Sequence, residues 1–308
     1  MLKVNKILVV IDPASDSQPA LARACLLASK TQAEVVAFMC IYDFSYEMTT
    51  MLSYEERDTM RKAVVQDRGE WLAKITSGYT APHGVTNTVV WDNSVHDAAI
   101  KHAIEHNCDM IVKAANSHDD LASLIFTPTD WHLLRKSPTP VLMVKQHDWP
   151  DKGNIIASVN VGTEDQQHAE LNDKVAKSAQ QYAEMLNANL HLVNAYPGTA
   201  LNIAIEIPEF DPQGYTANVA KHHQDEMKKF ADKHGIAHEH CHVKQGLPET
   251  AVPGQADELD AELVIIGTIG RVGLSAALIG NTAEHVIDAL NCDVLAIKPD
   301  GFECPIHT

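Results

Sequence analysis

The 308-residue chain is twice the length of a typical domain of about 150 residues, so its length favours two domains, each with room for a hydrophobic core. Hydrophobic residues make up 45% and charged residues 21%, which is typical of a globular protein, and no stretch resembles a membrane-spanning segment. The formal net charge is −17 and the Lys and Arg residues are scattered, which argues against direct binding to nucleic acid or to an anionic membrane surface.

The same order of predicted elements occurs twice along the chain. A short apolar strand at Lys6–Asp12 is followed by an amphipathic helix and a buried strand at Glu34–Ile41. The order recurs from Asn154–Asn160 to Asn189–Tyr196. The first strand is too short and too rich in β-branched residues for a secretory signal, so we expect a cytoplasmic protein.

The ends of the two halves indicate an internal repeat. Cys108–Lys145 aligns without gaps on Ala261–Lys298 at an offset of 153 residues. The polar, turn-forming stretch near Pro150–Gly153 predicts the boundary between the repeats. We therefore expect two domains, 1–150 and 151–308.

Within each half the predicted strands alternate with helices, and the strands are continuous apolar runs. This pattern is typical of a parallel sheet that is covered on both faces. The sequence thus predicts the α/β class, with two tandem doubly wound, Rossmann-like domains of five strands each. In the second half we place the strands near residues 154–161, 189–195, 238–244, 262–267 and 293–298.

Glycines are concentrated after one predicted strand of the second half. Of the 15 glycines in the chain, four lie within fourteen residues: Gly267, Gly270, Gly273 and Gly280. Backbone without Cβ atoms at the carboxyl end of a strand can approach an anion closely, and the following helix near Asn281 supplies free N–H groups. Two alternatives are that the glycines only form turns and that Asn281 is an N-cap, with Glu284 three residues on.

The spacing Gly267-x2-Gly270-x9-Gly280-Asn281 resembles the ATP-binding fingerprint of the universal stress protein family. The resemblance extends over nearly the whole chain, which is similar to two family domains in tandem. It implies a five-stranded parallel sheet of order 3-2-1-4-5 in each half. It also implies that the two halves pair within the chain through Val141–Val144 and Val294–Ile297. Association of two such chains into a homodimer is compatible with this pairing.

Family members are linked to survival of starvation, oxidative stress and DNA damage. The resemblance therefore implies a stress-response protein. No activated nucleophile or paired carboxylates at helical spacing indicate catalysis, although slow ATP hydrolysis stays open. A ligand-gated binding protein is the favoured interpretation.

The first half keeps only part of the family's site. Members that bind ATP place an Asp at the end of the first strand, and Asp12 matches it. Ala114, Ser117 and Thr127, however, stand where the second half has its glycines, and Pro128 removes a backbone donor. The resemblance thus implies a degenerate ligand loop in the first domain.

The second half keeps the loop but carries Asn160 at the Asp position. An Asn amide can still hydrogen-bond a ribose or a base edge. The resemblance implies that the second domain binds ATP or a related phosphorylated ligand, with Asn160 and Ala195 near the base. The residues expected at the phosphates are Gly267, Gly270, Gly280, Asn281 and Thr282.

Two apolar segments favour a different ligand. Tyr42–Tyr54 and Tyr196–Phe210 each follow a second strand, and the latter alternates apolar and polar residues. Such segments can cover the core or line a pocket. In a pocket they would suit an amphipathic ligand, a lipid or a nucleotide-sugar intermediate, and the protein would then be its carrier or sensor.

The stretch "HEHCH" raises the possibility of a zinc site. On a predicted strand His238, His240 and His242 would share one face, and three imidazoles at this spacing could bind zinc with a fourth ligand from elsewhere. The alternative is a row of solvated histidines on an edge strand.

Overall fold

The computed structural model describes residues 4–45, 52–117, 124–145, 149–198, 211–268 and 280–306. The chain forms two compact units. The N-terminal unit consists of Lys3–Gln146 with Glu303–Thr308, and the C-terminal unit consists of His147–Phe302 with Met1–Leu2. The domain limits 1–150 and 151–308 stay a prediction from the sequence.

The N-terminal unit contains a parallel sheet. Its central strand β1 pairs with β2 and with β4, β2 pairs with β3, and β4 pairs with β7, all in parallel. A short antiparallel pair, β5 with β6, follows β4. The strands are β1 Lys6–Val10, β2 Glu34–Ile41, β3 Val85–Trp91, β4 Met110–Ala114, β5 Asn116–Ser117, β6 Leu124–Ile125 and β7 Val141–Val144.

The C-terminal unit repeats this pattern. Strand β8 pairs with β9 and with β11, β9 pairs with β10, and β11 pairs with β12, again in parallel. The strands are β8 Asn154–Ser158, β9 Asn189–Tyr196, β10 Cys241–Gln245, β11 Ala261–Gly267 and β12 Asp293–Ile297. The predicted α/β class is therefore confirmed.

Eight α-helices accompany the strands in the described residues. In the N-terminal unit they are α1 Pro19–Thr31, α2 Tyr54–Thr76, α3 Val95–Glu105 and α4 Pro128–Lys136. In the C-terminal unit they are α5 Gln166–Leu186, α6 Pro212–His234, α7 Pro248–Glu258 and α8 Asn281–Ala289. No described helix is long and apolar enough to cross a membrane.

The central strands explain why the sequence shows continuous apolar runs. Leu8 and Val9 on β1 and Val264 and Ile265 on β11 are all fully buried, although neighbouring side chains of a strand point to opposite faces. Both faces of the sheets are thus removed from water, and every strand position is selected for hydrophobicity. Each such aliphatic side chain stabilises the fold by about 1.5–3 kcal/mol relative to exposure.

One strand differs from its prediction. We expected a strand from residue 238, but His238–His240 form a 3-10 turn and β10 begins at Cys241. The turn closes through the amide of Cys241, which donates to the carbonyl of His238. The preceding helix ends at Gly235 with φ +65°, a left-handed conformation that glycine adopts without steric cost.

Candidate functional site

A cavity of about 870 Å³ opens at the carboxyl ends of β8, β9 and β11 in the C-terminal unit. This is the edge of a parallel sheet where small ligands bind in open α/β folds. Six of the seven residues predicted from the sequence line it: Asn160, Ala195, Gly267, Gly280, Asn281 and Thr282. The seventh, Gly270, lies outside the described residues. Their roles as ligand contacts stay a prediction.

The start of α8 presents backbone donors to this cavity. Gly280 is the N-cap and, having no side chain, makes no side-chain capping bond. The amide of Glu284 donates to the carbonyl of Gly280, whereas the amides of Asn281, Thr282 and Ala283 have no acceptor within the described residues. The N-cap is thus Gly280 rather than Asn281, and the positive end of the helix lies at the cavity wall.

Gly267 is required by packing as well as by the cavity. A Cβ atom at this position would lie 2.5 Å from Cδ2 and 2.6 Å from Cγ of Leu171 on α5. Such distances are far inside van der Waals contact, so the glycine lets the end of β11 approach α5. Leu171 is itself buried and lines the cavity.

The backbone of Asn160 is held by a reciprocal pair of hydrogen bonds. Its amide donates to Oδ1 of Asn172 over 3.0 Å, and Nδ2 of Asn172 donates to the carbonyl of Asn160 over 2.8 Å. The Asn160 carboxamide has no partner within the described residues, which leaves one donor group and one acceptor for a ligand. Asn172 was not predicted, because only the fold brings α5 beside the end of β8.

The described wall of the cavity contains few ionisable groups. Nδ1 of His168 lies 2.8 Å from Oδ1 of Asp165, and both residues line the rim. The backbone amide of His168, and then its side chain, lower the pKa of Asp165. His223 is the other ionisable residue of the described lining, which includes no Lys or Arg. The α8 amides are therefore the main source of positive potential in the described wall.

The corresponding place in the N-terminal unit carries an ion pair. Nζ of Lys113 lies 2.6 Å from Oδ1 of Asp130, whose side chain is 0% exposed. In the 153-residue offset these residues match Ile266 and Ala283, which line the cavity of the other unit. A charged pair thus stands where the C-terminal unit has apolar cavity wall.

The helix start is also satisfied differently in the N-terminal unit. Thr127 is the N-cap of α4, and its hydroxyl accepts from the amide of Asp130. The Asp130 carboxylate in turn accepts from the amide and the hydroxyl of Thr127, each over 2.7 Å. This capping box engages the amide of Asp130, whose counterpart Ala283 has no acceptor within the described residues.

Asp12 is likewise engaged by its own loop. Its carboxylate accepts from the amide of Ala14 over 2.9 Å. Gln18 holds its backbone as Asn172 holds Asn160, because the Asp12 amide donates to Oε1 of Gln18 and Nε2 of Gln18 donates to the Asp12 carbonyl. The two units therefore share this backbone clamp although the clamping residues differ in type and spacing.

The predicted zinc ligands are not brought together on one strand face. His238 lies in the 3-10 turn and bonds Oδ1 of Asp232 over 2.7 Å, whereas His240 and His242 lie against His191, with ring centroids at 4.8 and 5.3 Å. The strand-face prediction is wrong because the chain turns before β10. Within the described ranges, no group of three or more His, Cys, Asp or Glu is arranged to hold a metal.

The apolar segments behind the amphipathic-ligand alternative are largely outside the described residues. Positions 46–51 and 199–210 are not described. The cavity wall nevertheless has an apolar part, formed by Leu171, Leu247, Val252, Ile266 and Val286. The alternative stays a prediction.

The sequence profile of the Universal stress protein family matches residues 3–145 and 159–298, one domain in each half. The chain belongs to the universal stress protein family. Universal stress protein E from Photorhabdus laumondii is 48% identical over 309 aligned positions, covering 99% of this chain and 98% of the relative. The protein of the same name from Escherichia coli K12 is 46% identical, covering 100% of this chain and 98% of the relative.

A solved structure supports the same family assignment. A crystal structure of a protein from Pseudomonas aeruginosa UCBPP-PA14, assigned to the universal stress proteins, is similar to this chain with a TM-score of 0.72 and 32% sequence identity. It is matched over 98% of this chain and 95% of that chain. The similarity to these proteins thus extends over both halves of this chain.

Proposed function

We propose that the C-terminal unit binds ATP or a related phosphorylated ligand in its cavity. The observation that carries the proposal is the start of α8, where three backbone amides and the positive end of the helix face a cavity of about 870 Å³. Helix starts of this kind are common phosphate sites, because N–H donors and the helix dipole act together. Family membership and the glycine spacing support the same assignment.

In this proposal the cavity residues divide into two groups. The phosphates lie at Gly267, Gly280, Asn281 and Thr282, with Gly270 assigned from its spacing. The base lies between Asn160 and Ala195, at the ends of β8 and β9. The buried ion pair of Lys113 with Asp130 supports a binding site in the C-terminal unit alone.

We further propose that the protein acts in the cytoplasm as a ligand-gated binding protein that supports survival of starvation, oxidative stress or DNA damage. Its charge of −17 favours an indirect role in DNA protection rather than contact with nucleic acid. Pairing of the two domains within the chain, and a further homodimer, are part of the same proposal.

Calorimetry with ATP, ADP and AMP tests the binding site. We expect the wild type to bind, and Gly280→Asp to bind at least about tenfold more weakly, because its carboxylate would cap the helix and repel phosphate. Gly280→Asn is the matched control. Its side chain has the same shape as Asp but no charge, so the loss of nucleotide affinity should be smaller. Absence of heat and of a thermal shift with all three nucleotides would overturn the proposal.

Mass spectrometry of compounds released from freshly purified protein distinguishes the amphipathic alternative. The apolar wall around Ile266 and Val286 is the observation that favours a ligand with an acyl chain. Adenine nucleotides as the only released compounds would support ATP and contradict the lipid ligand. A released lipid or nucleotide sugar would reverse that conclusion.

A further inference from the structure

A chain of hydrogen bonds leads from the backbone at the end of β8 to a histidine in the cavity wall. The amide of Val161 donates to Oδ1 of Asn194 over 3.1 Å. Nδ2 of Asn194 lies 3.2 Å from Nδ1 of His223 on α6. Asn194 is 0% exposed, so both halves of its carboxamide must find partners inside the protein.

This chain fixes the tautomer of His223. A backbone amide can only donate, so the oxygen of the Asn194 carboxamide faces Val161 and its nitrogen faces His223. Nδ1 of His223 is therefore the acceptor, and the neutral ring carries its proton on Nε2. If Nδ1 of His223 were protonated, its N–H would face the N–H of Asn194 Nδ2, and the two donors would repel each other.

The surroundings of His223 also favour the neutral ring. The Tyr196 ring stacks on it at 5.2 Å, Gly162 leaves room for its edge where a Cβ would collide, and His222 stands edge-on at 5.6 Å. Burial, and to a smaller extent His222, lower the pKa of His223. Among these neighbours from α6, β9 and the loop after β8, His222 alone is ionisable apart from the tyrosine, and no carboxylate is present.

We infer that His223 recognises the end of the ligand remote from the phosphates by donating its Nε2–H, and that Asn194 is the positioning residue that keeps this donor in place. Nε2 has no partner within the described residues, and His223 lines the cavity while its ring packs against Gly162 and the Tyr196 ring. This inference rests on the proposed function. It narrows the ligand to one with a hydrogen-bond acceptor at this end, such as a ring nitrogen of a nucleobase.

Nitrogen NMR of the imidazole rings tests the positioning half of the inference without any ligand. In the wild type we expect His223 to show the Nε2–H tautomer and a pKa below the ordinary value of a histidine. Asn194→Asp replaces the donor facing Nδ1 by an acceptor, so the proton should move to Nδ1 and the pKa of His223 should rise. An Nδ1–H tautomer in the wild type, or no change in Asn194→Asp, would overturn the assignment.

Calorimetry with ATP tests the recognition half. His223→Phe keeps a ring but removes the donor, and we expect about tenfold weaker binding. His223→Gln restores an N–H at the position of Nε2 and should recover most of the loss. The matched control is His222→Phe on the adjacent residue, which does not line the cavity and should bind as the wild type does.

The outcomes separate this inference from the proposed function. Wild-type binding that His223→Phe leaves unchanged would overturn the role of His223 while the proposed function stands. A loss in His223→Phe that His223→Gln does not recover would show that ring packing rather than the donor matters, which also overturns the inference. No ATP binding by the wild type would overturn the proposed function itself.

Discussion

The two units have equivalent sheet edges, but they treat the backbone amides at the following helix start in opposite ways. In the N-terminal unit Lys113, Asp130 and Thr127 occupy or cap the positions around the start of α4. In the C-terminal unit Ile266, Ala283 and Gly280 line a cavity, and the first amides of α8 have no acceptor in the described part of the chain. The difference teaches that side chains satisfy the helix start in one unit, whereas in the other unit the described side chains do not, which is where we propose that a ligand binds.

The ion pair gives the largest expected effect. Lys113→Ile alone leaves the buried Asp130 carboxylate without its counter-ion, and we expect the free energy of unfolding to fall by about 3–5 kcal/mol in urea denaturation. Lys113→Ile with Asp130→Ala installs the pair found in the C-terminal unit. This double variant should recover most of the loss, short of about 1 kcal/mol for the capping bonds.

A double variant that is as unstable as Lys113→Ile would contradict this account. The stabilisation would then come from packing around the Lys113 side chain rather than from charge compensation. The same denaturation curves measure both variants, so no separate assay is needed.

The second-largest effect is expected at Gly267, where the two units differ in the residue at the end of the strand. Gly267→Ala introduces a Cβ against Leu171, and we expect a loss of about 1–3 kcal/mol in the free energy of unfolding. The equivalent residue of the N-terminal unit is Ala114, so Ala114→Gly is the control and should cost no more than about 1 kcal/mol. Leu171→Ala combined with Gly267→Ala should lose less than the sum of the two single losses. Additive losses would show that the two side chains do not compete for space.

The smallest effect concerns His191, whose counterpart on β2 is Val36. Both strands have eight residues and begin opposite the first residue of the central strand, which sets this equivalence. Burial, followed by His240 and His242, lowers the pKa of His191 to about 4. The unfolded state therefore binds more protons than the folded state in this pH range. The contribution of neutral His191 to the free energy of unfolding is fully present above the unfolded pKa, and it is lost as the pH falls from about 6.5 towards 4.

We expect wild-type stability to fall by about 1 kcal/mol more than that of His191→Val between pH 7 and 5.5. Urea denaturation at the two pH values measures the difference. His238→Gln is the control, since His238 is half exposed and bonds Asp232 outside this cluster. Equal pH dependence in His191→Val and the wild type would show that His191 is not the titrating group.

The strands, the repeat and the position of the cavity were predictable from the sequence because short stretches of the chain determine them. The buried runs at Leu8 and Val264 predicted parallel strands, because their hydrophobicity reflects burial on both faces. The repeat was visible as an alignment of Cys108–Lys145 on Ala261–Lys298. The glycine spacing predicted the edge at which the cavity lies, because it combined the end of a strand with the start of a helix.

The rest depended on contacts between distant segments. Asn172 and His223 reach the cavity from helices whose packing the sequence does not specify, and no sequence pattern distinguishes His223 from the adjacent His222. The pair of Lys113 with Asp130 joins a strand end to a helix start, and neither residue has a distinctive spacing. The histidines at 238–242 misled because a period-two pattern indicates a strand face only if the strand extends that far.

The clamp that Asn172 places on Asn160 has a kinetic consequence. The main chain at the mouth of the cavity is tied down by two hydrogen bonds within the protein itself, so it needs no rearrangement when a small molecule arrives. In the ligand binding that we propose, the described part of this mouth would not have to fold, so encounter and orientation would set the association rate and mutations would mainly change the residence time.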